Sequence, residues 1–170
     1  MPPNAKSFKQ SQKEGLRAED LFREFAEKQG YAFEESPPSW NIHKHIDCFL
    51  SKDGKKRSFD VKALKRVARG NQYSQNSEIW VEFKNVRGRK GWLYGEADMI
   101  AFQDTEDSFL IFKREDLVSF CEEMVDETAV ASSTRDALYK VYTRKDRKDV
   151  ISRIKRADLI AKYKPTLLTR

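Results

Sequence analysis

The residues best suited to chemistry lie on a short β-hairpin. Asp53 and Gly54 form a two-residue turn signal between two runs of strand-forming residues. Centring the turn on this pair sets an antiparallel register that places Asp47 directly opposite Asp60. Lys62 follows two positions after Asp60, and side chains two apart on a strand project from the same face. We therefore expect two carboxylates and one lysine on one face of the hairpin.

This group of side chains has a specific chemical use. Two carboxylates at opposed strand positions have Cβ atoms about 4.5–5.5 Å apart and repel each other, so folding alone does not favour them. A divalent cation between Asp47 and Asp60 removes the repulsion, and hard oxygen ligands suit Mg²⁺ or Mn²⁺. The backbone carbonyl of Val61 is a candidate further ligand. Lys62 can orient a water or stabilise charge on a phosphate, so this equipment suffices to hydrolyse a phosphodiester bond.

A second acid-x-Lys motif competes with this assignment. Glu82 and Lys84 lie two positions apart on another predicted strand, and Asp60 would then be their upstream acid. We rank this arrangement second, because a tight turn sets Asp47 against Asp60, whereas a long basic segment separates Asp60 from Glu82. Glu82 is still a candidate for an extra metal ligand or a water-positioning group. A Glu–Lys stripe on the surface is the alternative interpretation.

Composition and missing motifs exclude several protein classes. The chain has 170 residues and two cysteines far apart, which suits one domain and excludes a disulfide framework or a cysteine zinc ribbon. It contains no Walker A loop, dinucleotide-binding turn, G-x-S-x-G elbow or H-E-x-x-H helix. His43 and His45 lack a further nitrogen or sulfur ligand, which argues against a zinc site. No apolar run approaches the roughly 20 residues of a membrane span, so we expect a reduced, cytoplasmic protein without a membrane partner.

Positive charge is concentrated at the C-terminal end. Residues 140–170 contain 11 Lys and Arg against 3 Asp and Glu, although the whole chain has a net charge of only +6. Such a segment beside a near-neutral body predicts a polyanionic partner, and a solvated surface is the alternative interpretation. Segment 85–95 interleaves basic residues with glycines and aromatic residues, a composition that suits contact with a nucleic acid backbone.

Hydrophobic spacing predicts the elements that must position these side chains. Helices are predicted over residues 12–29, 115–127 and 147–163, the last of them basic and amphipathic. Strands are predicted over residues 31–35, 43–51, 55–64, 79–86, 98–103, 108–113 and 138–142. This mixture predicts an α/β or α+β fold, with helices around a mixed sheet.

The sequence resembles the PD-(D/E)xK nuclease superfamily, whose pattern is an acid on one strand and acid-x-Lys on the next. The matching residues are Ile46-Asp47, Asp60-Val61-Lys62 and, on the first predicted helix, Glu19 or Glu14. The resemblance covers about residues 13–120, and the part after Leu64 is similar to small phage-type or mobile-element members. Ile46 stands where the pattern has proline, and Asp60 where it often has glutamate. The resemblance implies a restriction-endonuclease-like mixed β-sheet flanked by helices and metal-dependent DNA cleavage.

A functional hypothesis follows from the resemblance. We expect a Mg²⁺-dependent endodeoxyribonuclease, with Mn²⁺ as a substitute, that cleaves double-stranded DNA sequence-selectively as homing or restriction enzymes do. A structure-selective nuclease of the Holliday junction resolvase type and a non-catalytic DNA-binding module are the alternatives. The implied setting is the cytoplasm of a bacterial or phage-infected cell. Cleavage of both strands would favour a homodimer.

The hypothesis also assigns domains and residue roles. Residues 1–11 would form a flexible N-terminal arm, residues 12–128 the nuclease core, and residues 129–170 a C-terminal strand and basic helix packed on that core. The expected catalytic residues are Asp47, Asp60, Lys62, Glu19 and Glu82, with Asp47, Asp60 and Val61 as metal ligands. The expected DNA contacts are Lys65, Arg66, Arg69, Lys84, Arg87, Arg89, Lys90, Arg147 and Lys148. Seven cations lie on or just before the basic helix, and most of them are expected to be exposed: Arg144, Lys145, Arg147, Lys148, Arg153, Lys155 and Arg156.

Overall fold

The computed structural model describes residues 4–65 and 76–170. In these ranges the helices are α1 (Asn4–Lys28), α2 (Pro38–Lys44), α3 (Arg114–Met124) and α4 (Arg156–Lys162). The strands are β1 (Ala32–Glu35), β2 (Cys48–Lys52), β3 (Lys55–Lys62), β4 (Glu78–Lys84), β5 (Met99–Thr105), β6 (Ser108–Lys113), β7 (Asp126–Val130), β8 (Lys140–Val141), β9 (Val150–Lys155) and β10 (Thr166–Thr169). Short 3-10 helices cover Trp92–Tyr94 and Thr134–Asp136. The expected DNA contacts Arg66 and Arg69 lie outside the described residues.

A six-stranded mixed sheet forms the centre of the fold. Its strand order is β1-β2-β3-β5-β6-β10, in which β3 and β5 run parallel and the other neighbours run antiparallel. Helices flank this sheet, so the predicted α+β class with a mixed sheet is confirmed. Over the described ranges, no helix is long and apolar enough to cross a membrane.

The β2–β3 hairpin has the register predicted from its turn. Pairing runs from Lys52 and Lys55 beside the turn to Cys48 and Phe59 at the open end. The two turn residues have φ angles of 53° and 76°, which a type I′ turn requires and an Asp-Gly pair tolerates. Asp47 lies one residue before β2, and its N–H donates a hydrogen bond to the Phe59 carbonyl at 2.8 Å. The local turn chemistry therefore brings Asp47 to β3.

Strand β3 lies in the middle of the sheet and is covered on both faces. Phe59 and Val61 pack in the hydrophobic core beneath α1, where Phe22 contributes a fully buried ring. Alternate residues such as Asp60 project from the opposite face. A second layer covers that face, built from α3, α4 and the antiparallel pair β4–β9 around a core that includes Ile154. Asp60 is consequently only 3% exposed.

The C-terminal region differs from its sequence-based prediction. Residues 147–163, predicted as one basic helix, instead contain strand β9 and the short helix α4. Val150, Ile151 and Ile154 match a helical face, but β-branched side chains also favour strands. Strand β9 pairs with β4, and this long-range pairing outweighs the local helical pattern.

The N-terminal third also differs from the prediction. Residues 4–11, predicted as part of a flexible arm, belong to α1. His43 lies in α2 rather than on a strand, and His45 ends this helix with a φ angle of 53°. Helix α2 starts with Pro38 at a position where proline is favoured, because the missing N–H has no partner there in any case. Later in the chain, strands β7 and β10 are also missing from the predicted elements.

Three of the seven cations expected on an exposed helical face are already neutralised by acids. Arg153 is the clearest case, since it is 6% exposed and its guanidinium also donates a hydrogen bond to the Arg135 carbonyl. The sequence-based prediction of a free basic face is therefore wrong for these three residues. The ion pairs are Arg153–Glu78, Arg156–Asp104 and Arg144–Asp149.

We expect Arg153→Ala to destabilise the protein by about 3 kcal/mol, the usual range for removing one member of a largely buried ion pair. The variant loses the 2.8 Å pairing with Glu78 and the packing of the guanidinium against the Trp80 ring. Lys155→Ala is the matched control, because this neighbouring cation is exposed and should change stability by less than about 0.5 kcal/mol. Urea unfolding measures both values. Equal midpoints for the two variants would contradict a structural role for Arg153.

Candidate active site

Asp47 is held at the end of the hairpin by three neighbours. The Val61 N–H donates a hydrogen bond to Oδ2 at 2.7 Å, and the Asn41 side-chain amide donates to Oδ1. The Ser36 hydroxyl donates to the Asp47 carbonyl at 3.0 Å. Asn41 belongs to α2, so this helix and strand β3 together hold the carboxylate.

Asp60 is the most enclosed carboxylate of the site. Its Oδ1 lies 2.9 Å from the Lys62 ammonium, while Oδ2 is buried without an N–H or hydroxyl donor among the described residues. The Asp47 carboxyl group is close enough to share a hydrogen bond with that of Asp60. Such a bond needs a proton on one of the two groups, because ionised carboxylates only accept. A proton on one of the two groups, or a cation in addition to Lys62, would relieve the repulsion between them.

Lys62 occupies the open side of this pair. Its side chain is 23% exposed, and its Nζ lies 4.6 Å from the centre of the Trp92 ring. The aromatic face and the Asp60 carboxylate both attract the ammonium group. Lys62 is thus positioned by two contacts while part of it still faces solvent.

The carboxyl groups of the site resist ionisation. Burial, followed by the charge of Asp60, raises the pKa of Asp47 from 3.8 to about 7. Burial also raises the pKa of Asp60. Glu19 reaches the same region from α1, and its pKa rises from 4.5 to about 7, first through burial and then through the charge of Asp47. These three acids interact electrostatically. The hairpin register predicts that Asp47 lies near Asp60, and the resemblance implies Glu19 or Glu14 as the third acid.

The available ligands suit a hard divalent cation. Within the described part of the chain, no three His, Cys, Asp or Glu side chains are grouped so as to bind a metal by themselves. Asp47 and Asp60 nevertheless offer two carboxylates, including the buried Oδ2 that has no N–H or hydroxyl partner. Mg²⁺ usually keeps several waters and is held by only one or two carboxylates. Together with the Val61 carbonyl, these two residues would be its ligands.

A cleft opens beside these groups, between α1 and the end of β3. Its lining combines Glu14 and Gly15 of α1 with residues 61–65. Glu14 therefore borders the cleft, whereas Glu19 interacts with the Asp47 carboxylate. Both α1 glutamates considered from the sequence lie near the site, in different positions.

Glu82 approaches the site from the second layer. The backbone N–H of Trp92 donates a hydrogen bond to the Glu82 carboxylate. Burial raises the pKa of Glu82, and the charge of Lys62 offsets part of this rise. Lys84 is exposed beyond an irregularity in the β4–β9 pairing. The lysine that pairs with Asp60 is Lys62, so the geometry favours the hairpin motif over the competing one and leaves Glu82 as a neighbour of Lys62.

His45 connects α2 to the loop that follows β4. Its ring donates a hydrogen bond to the Lys90 carbonyl, and burial together with the charge of Lys62 lowers its pKa. A side chain at Gly95 would come within 2.9 Å of the His45 Cβ atom. His45 thus lies between Lys62 and the basic loop in a closely packed position.

The expected DNA contacts fall into separate groups around the site. Lys65 lines the cleft. Lys84 and three further cations are exposed at or after the end of β4, and two more are exposed in the turn before β9 rather than on a helix. These residues are Lys84, Arg87, Arg89 and Lys90 in the first group, and Arg147 and Lys148 in the second.

Sequence reasoning missed the residues that orient the cluster. Asn41 lies in a helix that begins after Ser36-Pro37-Pro38, which is typical of a turn, although proline at N1 also signals a helix start. The ring of Trp92 lies beside the Lys62 ammonium group. No local signal predicts that contact, because Trp92 and Lys62 lie in different layers.

We expect Glu19→Gln to stabilise the metal-free protein at alkaline pH. A folded-state pKa raised above its unfolded value gives stability that is present below about pH 4.5 and is lost as the pH rises through about 7. Thermal melts should show a higher Tm for the variant at about pH 8 and no difference at about pH 4. Glu24→Gln, an exposed position on the same helix, is the control and should show neither effect. A pH-independent gain would contradict the electrostatic origin.

Comparison with known proteins finds no match among family models, curated proteins or solved structures. The resemblance to the PD-(D/E)xK superfamily therefore depends on the residues of this chain alone. Any function must likewise be inferred from the geometry of Asp47, Asp60 and Lys62.

Proposed function

We propose that the protein is a Mg²⁺-dependent endonuclease that hydrolyses phosphodiester bonds in double-stranded DNA. The observation that carries this proposal is the pair formed by the buried Asp60 and the half-buried Asp47, with Lys62 beside it. Two adjacent carboxylates removed from water in this way cost stability unless a proton or a cation lies with them. A phosphate would reach Lys62 through the neighbouring cleft, which this lysine and Val61 help to line. Mn²⁺ should substitute for Mg²⁺, because both prefer oxygen ligands.

The residues of the pair have separate roles in this proposal. Asp47, Asp60 and the Val61 carbonyl would hold the metal ion, which when bound polarises a phosphate oxygen and acidifies a coordinated water. Lys62 would orient the attacking water and neutralise charge that develops on the phosphate. Because water attacks directly, no covalent intermediate with the protein is expected.

Two further carboxylates support the proposed site. Glu19 adds negative charge beside Asp47 and so increases the attraction for a cation. Burial raises the pKa of Glu82, and the nearby charge of Lys62 offsets part of that rise. Glu82 would restrain the lysine from the second layer. Their raised pKa values are consistent with a cluster in which a divalent cation replaces protons.

Duplex DNA is the proposed substrate because exposed cations lie next to this site. The loop after β4 carries Arg87, Arg89 and Lys90, and the Lys90 carbonyl contacts His45 at the edge of the site. Lys and Arg side chains bind phosphates without reading the sequence. Sequence-selective cleavage of both strands would need two copies of the site, and we propose a homodimer for that purpose.

Asp60→Asn and Asp47→Asn should each abolish Mg²⁺-dependent cleavage of plasmid DNA while the protein stays folded. Each change removes one of two repelling charges and one metal ligand. Mg²⁺ should also raise the Tm of the unmodified protein and leave that of both variants nearly unchanged, because only the folded metal site binds the ion. Glu106→Gln, at an exposed carboxylate in the turn between β5 and β6, is the control. Full cleavage by either Asp variant would refute the assignment of the metal ligands. DNA binding without cleavage by the unmodified protein would favour a non-catalytic DNA-binding module.

Lys62→Ala should reduce turnover by about 10²–10³-fold, as removal of one stabilising charge usually does, and leave DNA affinity nearly unchanged. Lys84→Ala is the matched comparison, since it removes the lysine of the competing motif. Single-turnover cleavage separates the two effects from binding. Loss of cleavage in Lys84→Ala with retained cleavage in Lys62→Ala would overturn the hairpin assignment in favour of the second motif.

A further inference from the structure

Two basic segments that are far apart in sequence lie against each other in the fold. The first segment is the 84–90 loop (residues 84–90), which contains four cations and no acid. The second segment is the 144–149 turn (residues 144–149), which contains four cations and two acids, Asp146 and Asp149. They meet because β4 and β9 are paired, so that the end of β4 adjoins the beginning of β9.

The 84–90 loop has an ordered backbone. The Asn85 side-chain oxygen accepts hydrogen bonds from the N–H groups of Arg87 and Arg89, both at 3.0 Å. The Asn85 backbone N–H donates to the Arg89 carbonyl at 2.8 Å, and the Gly88 N–H donates to the Asn85 carbonyl at 2.9 Å. These bonds satisfy the backbone internally, so the loop presents its exposed cationic side chains from a defined frame.

An ion pair closes the 144–149 turn. Asp149 is fully buried, and its Oδ2 accepts a hydrogen bond from Arg144 Nε at 2.7 Å. The Arg147 N–H donates to the Arg144 carbonyl at 3.1 Å. Arg144 is neutralised by this pair, and Asp146 is exposed within the turn. Lys145, Arg147 and Lys148 are left as exposed cations.

The contact between the two segments is direct and close. Gly88 has a φ angle of +78°, and a Cβ atom placed there would lie 3.3 Å from the Lys148 Cβ and Cδ atoms. The Lys148 N–H donates a hydrogen bond to the Val86 carbonyl at 3.2 Å. Glycine at position 88 therefore both permits the turn and lets Lys148 pack against the loop.

The combined surface leads into the candidate site. The Lys90 carbonyl accepts the hydrogen bond from His45, and Gly91 packs so closely on Glu82 that a Cβ atom would lie 2.3 Å from the Glu82 carbonyl oxygen. Trp92 follows and contacts Lys62. An unbroken run of chain therefore connects the exposed cations to the lysine of the site.

We propose that the 84–90 loop and the 144–149 turn form one rigid contact surface for the sugar–phosphate backbone of a DNA duplex beside the bond to be cleaved. This proposal rests on the proposed nuclease function for its substrate. Its distinctive claim is that the two segments act together: Lys148 contributes only while Gly88 keeps it against the loop. Contacts of this kind raise affinity for every sequence alike.

Fluorescence anisotropy with a labelled duplex in EDTA tests the surface without requiring cleavage. Arg87→Ala with Arg89→Ala, and Arg147→Ala with Lys148→Ala, should each weaken binding several-fold and lower the slope of log affinity against log salt by about 0.9 for each phosphate that the variant no longer neutralises. Lys55→Ala with Arg57→Ala is the matched control, because these exposed cations lie at the turn end of β3, away from Lys62. Unchanged salt slopes in both loop variants would overturn the proposal.

A glycine comparison tests whether the segments act as one unit. Gly88→Ala and Gly54→Ala impose similar backbone strain, since their φ angles are +78° and +76°, but a Cβ atom at Gly54 meets nothing within 4 Å. Gly88→Ala should weaken binding as much as Lys148→Ala does, and combining the two should add little. Gly54→Ala should bind normally, with melting curves confirming that both variants are folded. Normal binding by Gly88→Ala, or full additivity with Lys148→Ala, would refute a joint surface.

The binding assay and the cleavage assay test the two proposals independently. Loop variants that bind normally while the unmodified protein cleaves DNA would refute the surface and leave the nuclease proposal intact. Suppose instead that the variants of the 84–90 loop and the 144–149 turn lose salt-dependent binding, and that the unmodified protein does not cleave DNA in Mg²⁺ or Mn²⁺. That result would refute the nuclease proposal and support the contact surface.

Discussion

The whole arrangement depends on burying an aspartate in the middle of a β-sheet. Asp60 projects from the central strand β3 into the space between two layers, where an ionised carboxylate is poorly solvated. Lys62 neutralises one of its oxygens, and the second oxygen has no N–H or hydroxyl donor among the described residues. Asp47 adds another carboxyl group to the same place. In the function that we propose, a divalent cation bound by Asp47 and Asp60 would offset this cost.

The layers on either side of the sheet contribute different parts of the site. Helix α1 packs on the face that carries Phe59 and Val61 and brings Glu19 towards Asp47. The second layer covers Asp60, and it brings Trp92 and Glu82 towards Lys62. Covering Asp60 removes it from water and so raises its pKa. The second layer therefore both completes the hydrophobic core and shields the Asp60 carboxylate from water.

The distribution of positive charge follows from the same second layer. Pairing of β4 with β9 places Arg153 in an internal ion pair with Glu78 and brings the end of β4 next to the beginning of β9. Near this pairing, exposed cations remain in the 84–90 loop and the 144–149 turn, two adjoining segments that are not helical. A polyanion that contacts those segments is placed next to Lys62 and the cleft, which is where a scissile phosphate must lie if the carboxylates hold a metal ion.

The sequence by itself determined the hairpin register, the mixed α+β class and the grouping of Asp47, Asp60 and Lys62, because a two-residue turn and strand alternation act over only a few residues. Only the tertiary structure decided the rest. Residues 150–155 became a strand because their partner β4 lies about seventy positions earlier in the chain, and local periodicity carries no information about such a partner. The same pairing buried Arg153, and the packing of α2 against the hairpin gave Asp47 its Asn41 partner. Contacts between residues distant in sequence outweighed local preferences at each of these places.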